Sequence, residues 1–433
     1  MPFPEQVPIA ILGAGLTGLS CALELSQRAP FVLFEKTERV GGHASTEHDR
    51  GYRFDRTGHL LHLRSMTWRE RVLDWLDGDC VELDRRSVVF SSGVYTRYPF
   101  QANTYGLPKE IAYECLIGFL RTLTNDKSRT SENFADYCEM HFGPGFSKHF
   151  MLPYNEKLWG VPAREISATW CERFVPLPKL EDVIQGALGL PDPKLGYNAR
   201  FLYPRAGIGA LAEAMARRLP SIEFGRAPTL IRAKRRELVF GSERLGYEAL
   251  VSTLPLPALL ATIDELPAEV ERARGKLRST HLYYLDIALS CPAKRDFHWA
   301  YVPESKYPFY RVGCYTEFSP ALAPPGTASL YVELAGREVS GSEQALASVL
   351  PGLLEMGVLR SAADIAFARL RRLDYAYVIY DREYEAALSV IQPFLESLHI
   401  VSTGRYGGWN YSSMEDALRF GADAAQQALH WLC

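Results

Sequence analysis

The first 36 residues show the clearest pattern of hydrophobic and polar positions in the chain. Two short, uninterrupted apolar runs occupy residues 9–12 (Ile-Ala-Ile-Leu) and 31–34 (Phe-Val-Leu-Phe), and such runs are typical of buried parallel strands. Between them, apolar residues recur at helical spacing, at Leu16, Leu19, Ala22, Leu23 and Leu25. The pattern predicts strand, helix and strand, the beginning of an α/β sheet.

The rest of the chain mixes both periodicities. Helical spacing predicts helices within residues 107–150 and 163–220 and over residues 414–432. Alternation of apolar and polar residues predicts strands within residues 222–254, 280–290 and 328–335, and a short strand at residues 399–402. We expect the closing helix to return the chain to its N-terminal unit.

A glycine-rich turn, Gly13-Ala-Gly15-Leu-Thr-Gly18, joins the first strand to the first helix, and Glu35 follows the second strand. This spacing in this context indicates dinucleotide binding, although a purely structural turn is the alternative. Gly13 permits the tight turn, Gly15 lets the backbone approach a pyrophosphate, and Gly18 lets the helix pack on the strand. Glu35 would hold ribose hydroxyls, which favours FAD or NAD over NADP.

Composition and charge narrow the class of protein. The 433 residues are 47% hydrophobic and 23% charged, and 48 basic against 51 acidic residues give a net charge of −3. This balance argues against a protein that binds nucleic acid or an anionic membrane with its whole surface. The eight cysteines form no C-x-x-C pair, so we expect reduced thiols, no metal site and a cytoplasmic location. We expect neither a signal peptide nor a transmembrane segment.

A second glycine signature, Val40-Gly41-Gly42 followed by Ala44-Ser-Thr46, resembles that of FAD-binding chains in the amine oxidase and mutase superfamily. It favours FAD over NAD. The contacts to FAD that this resemblance implies come from Gly13, Gly15, Leu16, Thr17, Gly18, Glu35, Lys36, Gly42, His43, Ala44, Gly58, His59, Gly404, Arg405 and Met414.

Seven further strings occur in a fixed order. They are Tyr98-Pro-Phe-Gln101, Pro153-Tyr-Asn155 with Lys157 and Trp159, Trp170-Cys-Glu-Arg173, Asn198-Ala-Arg-Phe-Leu-Tyr-Pro204, Tyr301-Val-Pro-Glu304, Pro308-Phe-Tyr-Arg311 and Gly404-Arg-Tyr-Gly-Gly-Trp409. Together they resemble UDP-galactopyranose mutase over nearly the whole chain, closest to its longer, NADPH-using branch.

The resemblance implies an α/β fold with a Rossmann-like FAD-binding domain, an inserted helical domain and an antiparallel β-sheet substrate domain. The expected FAD-binding domain is discontinuous and comprises residues 1–100, 205–280 and 395–433. Residues 101–204 would form the mainly helical insertion that bears the uridine and lid contacts, and residues 281–394 the substrate sheet.

The implied reaction is a redox-neutral isomerisation. It interconverts the pyranose and furanose forms of a nucleotide-diphosphate sugar, here UDP-galactose, through an adduct between N5 of reduced FAD and the sugar. NADPH is the implied reductant. The sequence leaves the sugar open, because galactose, arabinose and N-acetyl sugars differ by groups whose contacts it does not specify.

The resemblance also implies roles for particular residues. Arg311 and Arg173 match arginines that contact the diphosphate, and His59 orders the loop beneath the flavin. The implied substrate contacts are Phe100, Gln101, Tyr154, Asn155 and Trp159 at the uridine end, and Asn198, Tyr301, Tyr377 and Tyr411 at the diphosphate. The implied NADPH contacts are Arg85, Arg86 and Tyr98.

Two positions depart from the family pattern, and two other functions stay open. Thr57 stands where the family has a glycine, and Glu415 where an asparagine is expected. An FAD-dependent oxidase or desaturase of the amine oxidase or protoporphyrinogen oxidase type is the main alternative. A catalytically inactive nucleotide-sugar-binding flavoprotein is the other. Because Arg311 lies outside the cofactor motifs, we expect Arg311→Ala to damage chemistry but not stability.

Overall fold

A computed structural model describes residues 5–124, 131–171, 175–190, 199–335 and 338–432. Its strands are β1 Gln6–Leu12, β2 Phe31–Phe34, β3 Thr46–Asp49, β4 Tyr52–Asp55, β5 Cys80–Asp84, β6 Ser87–Ser91, β7 Val94–Arg97, β8 Arg200–Pro204, β9 Leu230–Arg232, β10 Glu237–Phe240, β11 Glu243–Ser252, β12 Ser279–Leu289, β13 Trp299–Tyr301, β14 Arg311–Cys314, β15 Ala328–Ala335, β16 Ile365–Val378 and β17 Ile400–Ser402. Its α-helices are α1 Leu16–Leu25, α2 Met66–Trp75, α3 Lys109–Thr122, α4 Phe134–Phe146, α5 Leu152–Trp159, α6 Leu180–Leu188, α7 Gly209–Ala216, α8 Leu256–Thr262, α9 Ala268–Arg274, α10 Ser342–Glu355, α11 Tyr384–Ser397, α12 Gly404–Gly407 and α13 Met414–His430.

The first sheet is built from strands that are far apart in the sequence. β2, β1, β11 and β17 run parallel, and β10 and β9 extend the sheet antiparallel. Ile9 pairs with Phe31 on one side and with Ala249 on the other. The predicted strand, helix and strand are therefore confirmed, and with them the Rossmann-like α/β fold class.

The second sheet has the order β16-β12-β15-β14-β13-β6-β7. The strands predicted within residues 280–290 and 328–335 are confirmed, and β12 and β15 lie antiparallel to each other. One part of the domain prediction is wrong. β6 and β7, expected in the first segment of the FAD-binding domain, pair with the substrate sheet instead, since β6 lies parallel to β13. The other boundaries stay a prediction.

The helices α3 to α6 lie between these sheets in sequence and share a core of aromatic and aliphatic side chains. A strand was missed here, within a segment predicted as helices and turns. β8 pairs antiparallel with β5, with Phe201, Leu202 and Tyr203 buried. A run of three apolar residues is too short to show a period, so its partner strand decides its conformation.

The closing helix α13 returns to the N-terminal unit as predicted. Helix α13 packs closely on α1 at Gly421, where an added Cβ would stand 2.2 Å from the carbonyl oxygen of Thr17. The Ser413 hydroxyl caps α13 by accepting from the backbone N–H of Asp416. Within the described ranges, no helix is both long and apolar enough to cross a membrane.

Candidate active site

Three glycines of the first turn differ in what surrounds them. Gly13 has φ +99°, and an added Cβ would meet the Thr253 hydroxyl at 2.4 Å. A Cβ on Gly18 would stand 1.9 Å from the carbonyl oxygen of Gly13. At Gly15 the nearest protein atom would be the carbonyl oxygen of Gly41, 4.0 Å away. Two of the glycines therefore serve packing, while the space above Gly15 is left open, as a pyrophosphate needs.

The acid at the end of β2 is buried and hydrogen-bonded. One carboxylate oxygen of Glu35 accepts from the backbone N–H of Ala14 at 2.9 Å, and the other from the backbone N–H and hydroxyl of Thr37 at 3.0 and 2.8 Å. The oxygen bound by Ala14, Oε2, accepts only this one bond and keeps a second lone pair, so a ribose hydroxyl can still donate to it. Lys36, predicted beside it, is exposed.

The second glycine signature lies directly against the first. Gly41 forms a parallel bridge with Gly15 and donates its N–H to the carbonyl of Ala14 at 2.8 Å. Gly42 has φ +57°, and an added Cβ would lie 3.5 Å from the Cα of Gly15. Ala44 is buried beside them. The structure thus brings the two glycine signatures together, although Gly15 and Gly41 are 26 residues apart in the sequence.

The loop of residues 55–59 begins at the last residue of β4. It is called the flavin loop from here on, because the family resemblance predicts that it lies beneath a flavin. Thr57 is buried with φ +70°, a conformation that a β-branched residue rarely adopts and that costs about 1–3 kcal/mol. This explains why a glycine would suit the position. Gly58 touches the Tyr331 hydroxyl, which would stand 2.3 Å from an added Cβ. The loop therefore has no room for a side chain at Gly58.

One histidine, His59, belongs to the flavin loop, and a second, His43, lies near it. Burial, followed by the charges of Arg405 and Arg311, lowers the pKa of His59 to about 4, so its ring is neutral. Its Nδ1 is buried and has no hydrogen-bond partner among the described residues. Burial also lowers the pKa of His43 to about 3, and its Nδ1 shares a hydrogen bond of 3.0 Å with the Tyr406 hydroxyl. His59 is thus left free to meet a ligand.

The turn after β17 lies against the first turn of α1. Gly404 has φ +82°, and an added Cβ would contact the Thr17 hydroxyl at 2.8 Å. Arg405 donates to the carbonyl of Ser412 at 2.7 Å and lies over the Tyr411 ring at 4.6 Å. No carboxylate of the described residues lies within ion-pair distance of Arg405. A guanidinium without an anionic partner suits a site for an anionic ligand.

The predicted cofactor contacts Leu16, Thr17 and Met414 lie at the first turns of α1 and α13. Glu415, the second departure from the family pattern, is buried and is hydrogen-bonded to the protein backbone. Its carboxylate accepts from the backbone N–H groups of Arg64 and Ser65 at 3.0 and 2.7 Å. Glu415 therefore ties α13 to the segment before α2.

Arg311 is held by a carboxylate that sequence reasoning missed. Its Nε and Nη2 donate to the two oxygens of Glu333 at 2.7 Å each, because the two residues face each other in the β14–β15 register. Glu333 is fully buried, and 18% of the Arg311 side chain is exposed. Nη1 makes no hydrogen bond to a described residue and can bind a ligand. A lone glutamate in the apolar run 330–334 was the available signal.

Removing Arg311 would leave the buried Glu333 carboxylate unpaired. We therefore revise the expectation that Arg311→Ala spares stability, because an unpaired buried charge is costly.

Aromatic side chains converge beside Arg311. Tyr154 packs against Tyr301 at 5.2 Å, and Tyr377 stacks on Tyr411 at 6.1 Å between ring centroids. The indole of Trp159 packs on Tyr377 at 5.5 Å. Burial raises the pKa of Tyr154, Tyr301 and Tyr377. These phenols stay protonated near neutral pH and can donate hydrogen bonds.

The residues predicted for the uridine end are buried and largely partnered within the protein. Phe100 is fully buried, with its ring stacked 5.0 Å from that of Phe150. Gln101 donates to the carbonyl of Pro176 at 2.9 Å, and Asn155 donates at 2.8 Å to the carbonyl of Met151, the residue before α5. The indole N–H of Trp159 is buried and finds no acceptor in the described ranges.

Arg173 and Asn198 lie outside the described residues.

The two adjacent arginines predicted for NADPH have different surroundings. The Arg85 guanidinium lies 5.1 Å from the centroid of the Tyr98 ring, and that ring packs on Tyr301 at 4.8 Å. Arg86 donates to Glu317 at 2.6 Å and to the Asp296 carbonyl at 2.7 Å. Arg85 therefore faces the aromatic cluster, and Arg86 is engaged elsewhere.

The comparison with known proteins agrees with this arrangement. A family model described as an NAD(P)-binding Rossmann-like domain matches residues 11–76. A crystal structure of reduced UDP-galactopyranose mutase is 26% identical, with a TM-score of 0.92 over 98% of this chain and 96% of that chain.

The predicted resemblance to UDP-galactopyranose mutase is confirmed.

Other solved structures share the fold less closely than this mutase. A putative protoporphyrinogen oxidase from Exiguobacterium is 15% identical, with a TM-score of 0.78 over 99% of both chains. A putrescine oxidase bound to putrescine is 16% identical, with a TM-score of 0.68 over 98% of this chain and 99% of that chain. At these identities the likeness concerns the fold alone.

Proposed function

We propose that this chain is an FAD-dependent isomerase that interconverts the pyranose and furanose forms of a nucleotide-diphosphate sugar, with UDP-galactose as the substrate. One observation carries the proposal. On a fold shared with UDP-galactopyranose mutase, Arg311 is fixed by buried Glu333, and its Nη1 has no partner among the described residues. The buried phenols of Tyr154, Tyr301 and Tyr377 lie within electrostatic range of this guanidinium. A forked cation with phenolic donors is suited to a diphosphate.

The residues present fit FAD. Space is left above Gly15, and buried polar atoms of His59, Asn410 and Ser412 lack partners within the described residues. Glu35 would hold the ribose, the N-termini of α1 and α13 would face the phosphates and ring, and the flavin loop would lie beside the ring. When reduced and bound, FAD would supply the nucleophile that holds the sugar while the nucleotide is detached.

Arg311 has the main electrostatic task in this proposal. Breaking the bond between the anomeric carbon and the diphosphate places negative charge on the phosphate oxygens. A guanidinium already oriented by Glu333 stabilises that charge without reorganisation. Tyr301, Tyr377 and Tyr411 would donate to the same oxygens, and Arg173 and Asn198 would add to this set.

We place the uridine against α5, near Tyr154, Asn155 and Trp159, with Phe100 and Gln101 behind them. NADPH would bind at Arg85 and Tyr98 and reduce the flavin. A cytoplasmic location agrees with the free cysteines of the described residues.

The deciding experiment incubates dithionite-reduced protein with UDP-galactofuranose and separates the products chromatographically. We expect UDP-galactopyranose to form only after reduction, in an amount that exceeds the reductant supplied. Oxidised protein that turns over an amine or other hydride donor with oxygen uptake would support the oxidase alternative instead. Bound FAD and UDP without conversion would support the inactive binding protein.

A further inference from the structure

The flavin loop is anchored by a buried hydrogen-bond chain that lies behind it. The Tyr315 hydroxyl lies 2.6 Å from the backbone carbonyl oxygen of Asp55 and 3.1 Å from the Oδ1 atom of Asp286. Tyr315 is fully buried, and Asp286 and Asp55 are each 1% exposed. None of these residues belongs to the glycine motifs or the substrate set, so the proposed function leaves the chain of contacts unexplained.

The positions of these three oxygen atoms determine which group must carry a proton. A phenol has one proton to donate, and a backbone carbonyl can only accept. The shorter contact, to Asp55, therefore takes the Tyr315 proton. The contact to Asp286 is a hydrogen bond only if the Asp286 carboxyl carries a proton and donates it to the Tyr315 oxygen.

The charges around Asp286 do not replace that proton. Arg371 Nε forms a long ion-pair contact of 3.6 Å with Asp286 Oδ2, which favours the charged carboxylate but is weaker than a close charged hydrogen bond. The same guanidinium donates to Glu47 at 2.6 Å through Nη2. The other titratable groups facing Asp286 are Tyr284 on its own strand and, in the neighbouring strands, Tyr331 and Arg369. Arg369 pairs with Asp49 at 2.8 Å. Burial, opposed by Arg371, raises the pKa of Asp286 to about 8.

We propose that Asp286 is a protonated positioning residue, whose proton directs the Tyr315 hydroxyl to the Asp55 carbonyl and so orders the flavin loop. When Asp286 loses its proton, the Tyr315 hydroxyl turns to the new carboxylate. The Asp55 carbonyl then keeps the hydrogen bond from the N–H of Thr57, 3.0 Å away, but loses the one from Tyr315. The hydrogen bond from Tyr315 then no longer stabilises the strained backbone conformation at Thr57. The inference rests on the flavin-site part of the proposed function and is independent of the sugar.

Infrared spectroscopy tests the proton directly, with or without FAD. At about pH 7 we expect the parent to show a protonated-carboxyl band that Asp286→Asn removes. Asp374→Asn is the matched control, because Asp374 is 73% exposed on the neighbouring strand β16, and it should leave the band unchanged. A band unaffected by Asp286→Asn would overturn the proposal. Should that variant not fold, titration of the band in the parent and its frequency shift in Tyr315→Phe decide the question.

The second measurement is FAD affinity from about pH 6 to about pH 9. We expect the parent to bind FAD more weakly as pH rises, by tenfold for each unit by which FAD raises the Asp286 pKa. Asp286→Asn should bind with no such trend, because its amide donates to Tyr315 at any pH. Equal trends in both proteins would contradict the proposal. A protein that binds FAD but isomerises no sugar refutes the proposed function and leaves this inference intact.

Discussion

The pair of Arg311 and Glu333 gives the sharpest test of the site. Arg311→Ala removes the guanidinium and leaves a fully buried carboxylate whose two oxygens each lose a hydrogen bond of 2.7 Å. At an effective dielectric constant of ~20, two charges ~4 Å apart attract by about 4 kcal/mol. Breaking a buried pair by removing one partner costs about 3–5 kcal/mol. We therefore expect the variant to be measurably less stable than the parent.

The double variant Arg311→Ala with Glu333→Gln separates stability from chemistry. A neutral amide needs no counter-ion, so this change should recover most of the stability lost in the single variant. The lost activity should not return. One preorganised donor to developing negative charge contributes ~10²–10³ in rate, and neither variant has it. Arg311→Lys should recover little activity, because an ammonium cannot reproduce the forked contact.

Two assays are needed. Urea unfolding followed by circular dichroism gives the stability of each variant, and single-turnover conversion of UDP-galactofuranose in reduced protein gives the rate. A buried carboxylate that has lost its cation is disfavoured in its charged form, so the stability deficit of the single variant relative to the parent should shrink as pH falls. The reasoning is refuted if Arg311→Ala unfolds like the parent at every pH, or if it converts substrate at the parental rate.

Three further predictions concern the cofactor end and the reductant. Gly15→Val should abolish FAD absorbance but keep the circular dichroism of the parent, since the nearest protein atom to an added Cβ would be 4.0 Å away. Gly18→Val should instead disrupt folding, since its Cβ would stand 1.9 Å from the carbonyl oxygen of Gly13. Equal effects of the two changes would contradict the assignment. Arg85→Ala should slow flavin reduction by NADPH in stopped-flow measurements and Arg86→Ala should not, because only Arg85 faces Tyr98; the reverse result would remove Arg85 from the site. Thr57→Gly should raise the free energy of unfolding by roughly 1 kcal/mol by relieving the strain at φ +70°, and a lower stability in urea would show that Thr57 is unstrained.

The sequence by itself predicted the glycine turn and the acid that form the candidate cofactor site. The roles expected of these residues depend on local geometry, namely turn conformation, backbone approach and helix packing. The spacing of Gly13, Gly15, Gly18 and Glu35 can therefore be recognised in the sequence alone. The resemblance to the mutase was also in the sequence, because ordered strings carry it without any contact being known.

The tertiary structure decided what depends on pairing between distant segments. The carboxylate that fixes Arg311 lies on another strand, and only the register between β14 and β15 selects Glu333. The same reason applies to β6, whose apolar run allows either sheet until β13 lies beside it. Asp286 and the flavin loop meet through Tyr315, three segments of the chain joined by one hydroxyl. Hydrogen-bond partners of buried groups follow from packing in three dimensions, and the local sequence does not contain them.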